Sequence, residues 1–350
     1  MFPKIILAIL FLFSAHIGSA QKDPNTTATI LKEELLFKEA PFAQCHAPTL
    51  VETKDGNILA AWFGGPYERH PEVSIYASLK KDGKWSDPTM VANGKINDTL
   101  RYPTWNPVLF NTDRHKLFLF YKIGPSPSEW WGAYKTSSNN GLSWSPEIML
   151  PQGILGPIKN KPLQLRSGRI ISPSSTEDGD IWKVHMEISD DNGEHWEKIP
   201  VDTLSPFKAI QPTLIQVPDQ GIKALIRSDQ NSILESVSKD EGLSWGKLSK
   251  TRVANPNSGI DAVGLKNGKY LLVYNPTNSG NDWSDGRQKL NLAISDDGSE
   301  WKDLLVLEDT PKGEFSYPAI IEDNQGLVHI VYTYNRENIK YVQLQLDKNR

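Results

Sequence analysis

One eight-residue pattern, Ser-x-Asp-x-Gly-x-x-Trp, recurs along this chain and limits what it can fold into. It is complete in Ser189–Trp196 and Ser238–Trp245, and carries Asn139 for the aspartate in Ser137–Trp144. It is one residue short in Ser295–Trp301 and degenerate in Ser78–Trp85. The copies lie roughly 50 to 60 residues apart, a period expected of a propeller, where one supersecondary unit recurs around an axis. The residue types suit a hairpin turn: the Asx side chain bonds nearby backbone, the glycine takes a positive φ, and the tryptophan packs into the layer between blades. The aspartates are therefore read as structural.

The remaining sequence follows that plan. Runs such as Ile58 to Phe63, Val73 to Ala77 and Leu117 to Tyr121 read as strands, and Asp55-Gly56-Asn57 and Lys266-Asn267-Gly268 as turns between them. No helical periodicity survives past the first residues. The expectation is an all-β chain, a β-propeller of six four-stranded blades over 44–90, 100–148, 155–200, 206–250, 255–305 and 313–346. A strand near 32–38 would complete the last blade and remove free edges, making 32–346 a single domain. Residues 21–31 are polar and expected to be disordered. Met1–Ala20, with Lys4, the apolar run Ile5 to Phe13 and Gly18-Ser19-Ala20, reads as a cleaved secretory signal. Its apolar run is too short to span a bilayer. The protein is expected to be periplasmic or secreted, without membrane insertion. Cys45 is the only cysteine, which excludes an intrachain disulfide, and a net charge of −4 gives no nucleic-acid footprint.

The repeats resemble those of the Asp-box, or BNR-repeat, family, whose best-known members are sialidases. The resemblance covers roughly Glu34 to Leu346. It implies three arginines clamping a substrate carboxylate, a tyrosine nucleophile activated by a glutamate, and an aspartic acid. Arg227 looks like the second arginine, and Arg336 can serve as the third. Tyr317 in Ser316-Tyr317-Pro318 looks like the nucleophile, with Glu187 or Glu177 in the glutamate's place. The first arginine's place reads His46-Ala47-Pro48, and no aspartic acid appears near His70. In these departures the chain looks more like the branch of dehydratases and lyases acting on ulvan-type glycans.

The residues themselves suit proton chemistry on an acidic sugar. In a uronic acid the C5 hydrogen lies α to the carboxylate, so its removal needs that charge neutralised, a base, and an acid for the oxygen leaving C4. Arg227 with Lys161 or Arg336 would hold the carboxylate, His46 or His185 would be the base, and Tyr317 the acid. His185 and Glu187 alternate on one strand and point the same way. Blade starts converge on one end of the channel, which adds Trp105, Gln211, Asn257 and Asn275 as substrate contacts. Trp131 reads as a sugar-stacking surface, and Asp261 as an internal partner for Arg227. No cofactor or metal is expected, since the histidines lack zinc-site spacing. His70 reads as a loop residue, His115 and His195 as exposed, and His329 as core. The reading is a monomer acting on the terminal uronate of an acidic oligosaccharide by β-elimination. A sialidase-like exo-glycosidase using Tyr317 and Glu187, and a non-catalytic glycan-binding propeller, remain as alternatives.

Overall fold

The structure, a computed structural model, describes residues 26–348. The described residues form six antiparallel sheets. Their innermost strands are Gln44–Glu52, Thr104–Asn111, Leu163–Gln164, Ala209–Val217, Asp261–Gly264 and Phe315–Glu322 for blades 1 to 6 in chain order. This is the expected six-bladed propeller. Blade 6 is closed by the N-terminal strand Thr26–Leu35, paired with Asn338–Lys348. The closing strand thus starts earlier than 32–38, and residues 26–31, expected to be disordered, belong to the sheet. Pairing along one edge with Asn338–Lys348 gives the backbone there ladder partners, which outweighs the polar composition. The strand is also tied to blade 1: Lys32 Nζ donates to Gly83 O at 2.8 Å, and Trp85 Nε1 to Glu34 Oε1 at 3.1 Å. The expected leader, residues 1–20, lies outside the described residues.

The turns work as their residue types require. In Ser189–Trp196, Gly193 N donates to Ser189 Oγ at 2.9 Å, while Asp191 Oδ1 accepts from the amides of Glu194 (3.1 Å) and His195 (2.9 Å). Gly193 has φ 86°, a left-handed value that glycine adopts freely. The Ser137 and Ser238 copies repeat the glycine-to-serine bond at 2.9 and 2.8 Å. The tryptophans pack on the preceding blade: Trp196 of blade 3 lies 6.1 Å from Phe120 of blade 2, near perpendicular to it. The apolar core is accordingly divided among the spaces between blades, as in the cluster joining Leu59, Ile75 and Val73 of blade 1 to Leu109, Leu119 and Tyr121 of blade 2.

A second repeated device positions the site. Four innermost strands carry a β-bulge, between His46 and Thr49, Trp105 and Val108, Ile210 and Thr213, and Ser316 and Ala319. Each contains a non-glycine residue at positive φ just before a proline: Ala47 (53°), Asn106 (40°), Gln211 (55°) and Tyr317 (52°). The left-handed backbone costs about 1–2 kcal/mol per residue. The bulge re-aims side chains at the end of the channel where the first strands begin.

Candidate active site

Four blades deliver side chains to that channel mouth. Tyr317 stands on the bulge of blade 6 and His46 on that of blade 1, with ring centroids 4.2 Å apart. Gln211 comes from the bulge of blade 4, and Arg227 from the top of that blade's second strand, Gly221–Ser228. Arg287 lies in the loop before the third strand of blade 5, Lys289–Ser295. All but Tyr317 are buried, Arg287 to 5% exposure and Arg227 to 8%.

Their bonds define a small basin. Arg227 donates from Nη1 to Tyr317 Oη at 2.7 Å and to Gln211 Oε1 at 3.0 Å, and from Nε to Asn257 Oδ1 at 2.8 Å. Gln211 Nε2 also donates to Tyr317 Oη, at 3.3 Å. The buried Arg227 cation thus has only neutral hydrogen-bonding partners, so an anion in the basin would complete its pairing. Arg287 donates from Nη1 to Glu314 Oε1 at 3.0 Å, while its buried Nε has no partner. Glu314 also accepts from Arg336 Nε at 2.7 Å, and Arg336 Nη1 pairs with Glu68 at 2.5 Å. The exposed indole of Trp283 roofs both guanidinium groups, 5.1 Å from Arg287 and 4.8 Å from Arg336.

His46 is held neutral. Arg336 Nη2 lies 3.5 Å from Nε2 and can only donate, so Nε2 keeps its lone pair and Nδ1–H donates to Thr333 Oγ1 at 2.9 Å. Burial, reinforced by Arg336, Arg287, Arg227 and Lys159, holds its pKa well below the usual histidine range. Lys159 sits beneath Tyr317, where a Cβ on Gly259 would meet both side chains at 3.2 Å. Burial lowers its pKa to about 7. Its ammonium nevertheless finds three acceptors, Asn160 Oδ1 (2.8 Å), Ile260 O (2.6 Å) and Pro318 O, a set that favours the charged form. At the rim, burial raises the pKa of Glu177 against the opposing pull of Arg227.

The structure therefore gathers His46, Gln211, Arg227, Asn257, Tyr317 and Arg336 as expected, and corrects the rest. His185 and Glu187 are on the third strand of blade 3, 2% and 0% exposed. Glu187 accepts the amides of Leu155 and Gly156, both at 2.7 Å, and its Oε1 lies 3.1 Å from His185 Nε2, so the pair fixes backbone rather than substrate. Lys161 is paired with Asp261 at 2.8 Å, which leaves Asp261 bound to Lys161 instead of Arg227. Trp105 is buried and donates to Gly124 O at 2.8 Å, and Trp131 packs edge-on against Tyr102. Trp105 is thus closed to the substrate contact expected of it, and Trp131, read as the stacking surface, is half-buried in that packing. Asn275 is fully buried and ties Lys289 O to Phe315 O. Arg336, with two carboxylate partners, is less free than Arg287, which the sequence reading missed together with Glu314 and Trp283. Arg287 shares with Arg336 a loop between second and third strands, the one placement signal available for it. His329 is buried between Tyr341 and Asp323, as a core residue. Among the described residues no cluster of His, Cys, Asp or Glu is arranged to hold a metal ion.

The BNR repeat-like domain family matches residues 56–330. The chain is 26% identical over 229 residues to the anhydrosialidase of Macrobdella decora, over 57% of this chain and 29% of that one. It thus spans less than a third of that relative's length. A protein of unknown function from Dyadobacter fermentans superposes with a TM-score of 0.75 at 16% identity, over 93% of this chain and all of that one. The NanB sialidase of Streptococcus pneumoniae gives 0.68 at 15% identity, over 89% of this chain and 70% of that one. Such identities speak for the fold alone. Since the family match takes in most of the propeller, the chain belongs to the BNR repeat-like domain family.

Proposed function

We propose that this chain is a carbohydrate-active enzyme that binds the terminal uronate of an acidic oligosaccharide and eliminates across its C4–C5 bond. Arg227 and Arg287 would take the carboxylate, which supplies the anionic partner that Arg227 lacks and an acceptor for the unpartnered Nε–H of Arg287. That binding acidifies the C5 hydrogen. It also cancels part of the positive field on His46, so the substrate raises the basicity of the group that must take the proton. Tyr317 Oη accepts two hydrogen bonds, one from a cation, and would give its proton to the oxygen leaving C4 while those donors stabilise the phenolate left behind.

The observation that carries this reading is what touches Tyr317 Oη. A tyrosine nucleophile for glycoside hydrolysis needs a neighbouring carboxylate to take its proton. Here the contacts are the amide of Gln211 and the guanidinium of Arg227, which both donate and cannot serve as base. The neutral imidazole against the Tyr317 ring favours elimination instead. The test is incubation with uronate- and sialate-terminated oligosaccharides, followed by ultraviolet absorbance of the conjugated enol acid and by mass spectrometry. New absorbance with loss of water marks a dehydratase, and with loss of a sugar a lyase. A saturated sugar released without absorbance would refute the reading.

A further inference from the structure

Resting on the elimination reading above, we infer that the site acts on uronates whose C5–H and C4–O bonds lie on the same face of the ring, as in glucuronate, and rejects its C5 and C4 epimers, iduronate and galacturonate. The argument is about where the proton-handling groups stand. His46 and Tyr317 come from the first strands of neighbouring blades, each thrown toward the channel mouth by a bulge, and their rings touch, 4.2 Å apart and tilted by 50°. Arg227, 2.7 Å from Tyr317 Oη, fixes the carboxylate beside that hydroxyl, and C5 carries the carboxylate. The sugar ring therefore meets base and acid from one side.

The opposite face looks toward the rim, which is poorly equipped for proton transfer. Glu68 is paired with Arg336, and His70 Nδ1 accepts the amide of Glu72 at 3.1 Å within its own loop. Trp283 has only an indole N–H. Glu177, half-buried and within the field of Arg227, is the group an opposite-face mechanism would require.

In the step, the C5–H bond breaks and its proton goes to His46 Nε2. The electron pair forms the C4–C5 double bond. The C4–O bond breaks, and the departing oxygen takes the proton of Tyr317, leaving as water or as the hydroxyl of the neighbouring sugar. Imidazolium and phenolate then stand in contact, and return of one proton from His46 to Tyr317 restores both. In glucuronate the two bonds are on one face. In iduronate the hydrogen is on the other face, and in galacturonate the oxygen is.

The test uses the unaltered protein and three oligosaccharides that differ only in the terminal residue: glucuronate, iduronate or galacturonate. Initial rates of enol-acid absorbance give kcat/KM, and calorimetric titration gives binding. Loss of one aligned proton transfer is worth roughly 10²- to 10⁴-fold in rate, so iduronate and galacturonate should fall below glucuronate by about that factor. Equal or faster turnover of either epimer overturns the inference while leaving elimination in place. Absence of enol-acid absorbance from all three overturns both.

Discussion

Arg287 is the residue on which the carboxylate-binding argument can be tested with least collateral damage, and Arg287→Lys is the substitution to make. A lysine keeps the positive charge next to Glu314, and Glu314 retains its 2.7 Å bond to Arg336, so no buried carboxylate is stranded. What disappears is the planar fork, including the Nε–H that is buried without a partner. A hydrogen bond to a charged group contributes about 1.5–3 kcal/mol. Affinity for a uronate-terminated oligosaccharide should therefore fall about 10- to 150-fold. The assay is calorimetric titration with the uronate and with its neutral analogue bearing hydroxymethyl in place of carboxylate, beside a melting curve. The expected pattern is a loss for the acid, little change for the neutral sugar and a nearly unchanged Tm. Equal weakening of both ligands, or unchanged affinity for the acid, would refute the assignment.

Other outcomes follow from the same geometry. Tyr317→Phe should lower kcat by roughly 10²- to 10⁴-fold while binding stays within a few-fold, because Arg227 and Arg287 remain; near-normal turnover would remove the hydroxyl from the mechanism. The depressed pKa of His46 means that the acid limb of kcat/KM, which reports the free enzyme, should lie well below the usual histidine range, and that of kcat higher, once the bound carboxylate offsets the arginines. An acid limb of kcat/KM at an ordinary histidine value would count against His46 as base. Glu187→Gln should lose about 1–3 kcal/mol of stability in denaturant unfolding, since one of two buried amides loses its acceptor, with kcat of the folded protein unchanged; a selective loss of kcat would restore a catalytic role. Gly193→Ala should cost about 1–2 kcal/mol from its φ of 86°, with the new Cβ 2.9 Å from Phe118 Cζ, and leave turnover intact.

The difference between what was legible and what was not has a physical basis. The Asp-box turn is solved within eight residues: serine and aspartate oxygens satisfy amides two to four residues away, and the tryptophan needs only a neighbouring blade to bury it. Such a pattern announces itself locally, and its spacing gives the architecture. The site has no such local solution. His46, Gln211 and Tyr317 could be found because each lies at or beside a bulge that ends in proline, and that pair of residues is visible in the chain. Arg287 and Arg336 occupy corresponding loops of adjacent blades, and only the position of Glu314 and Glu68 decides which guanidinium is committed. His185 and Glu187 show the opposite failure. Their alternation does place them on one strand face, yet the third strand of this blade turns that face toward the backbone of Leu155 and Gly156, not the channel. Strand period thus tells which side chains travel together, and the position of the strand within its blade tells whether they travel to the site. The x-Pro bulge marks four of the six first strands, so it separates candidates that the period alone leaves equal: it retains His46 over His185, and Tyr317 and Gln211 over Glu187, although it also retains the buried Trp105.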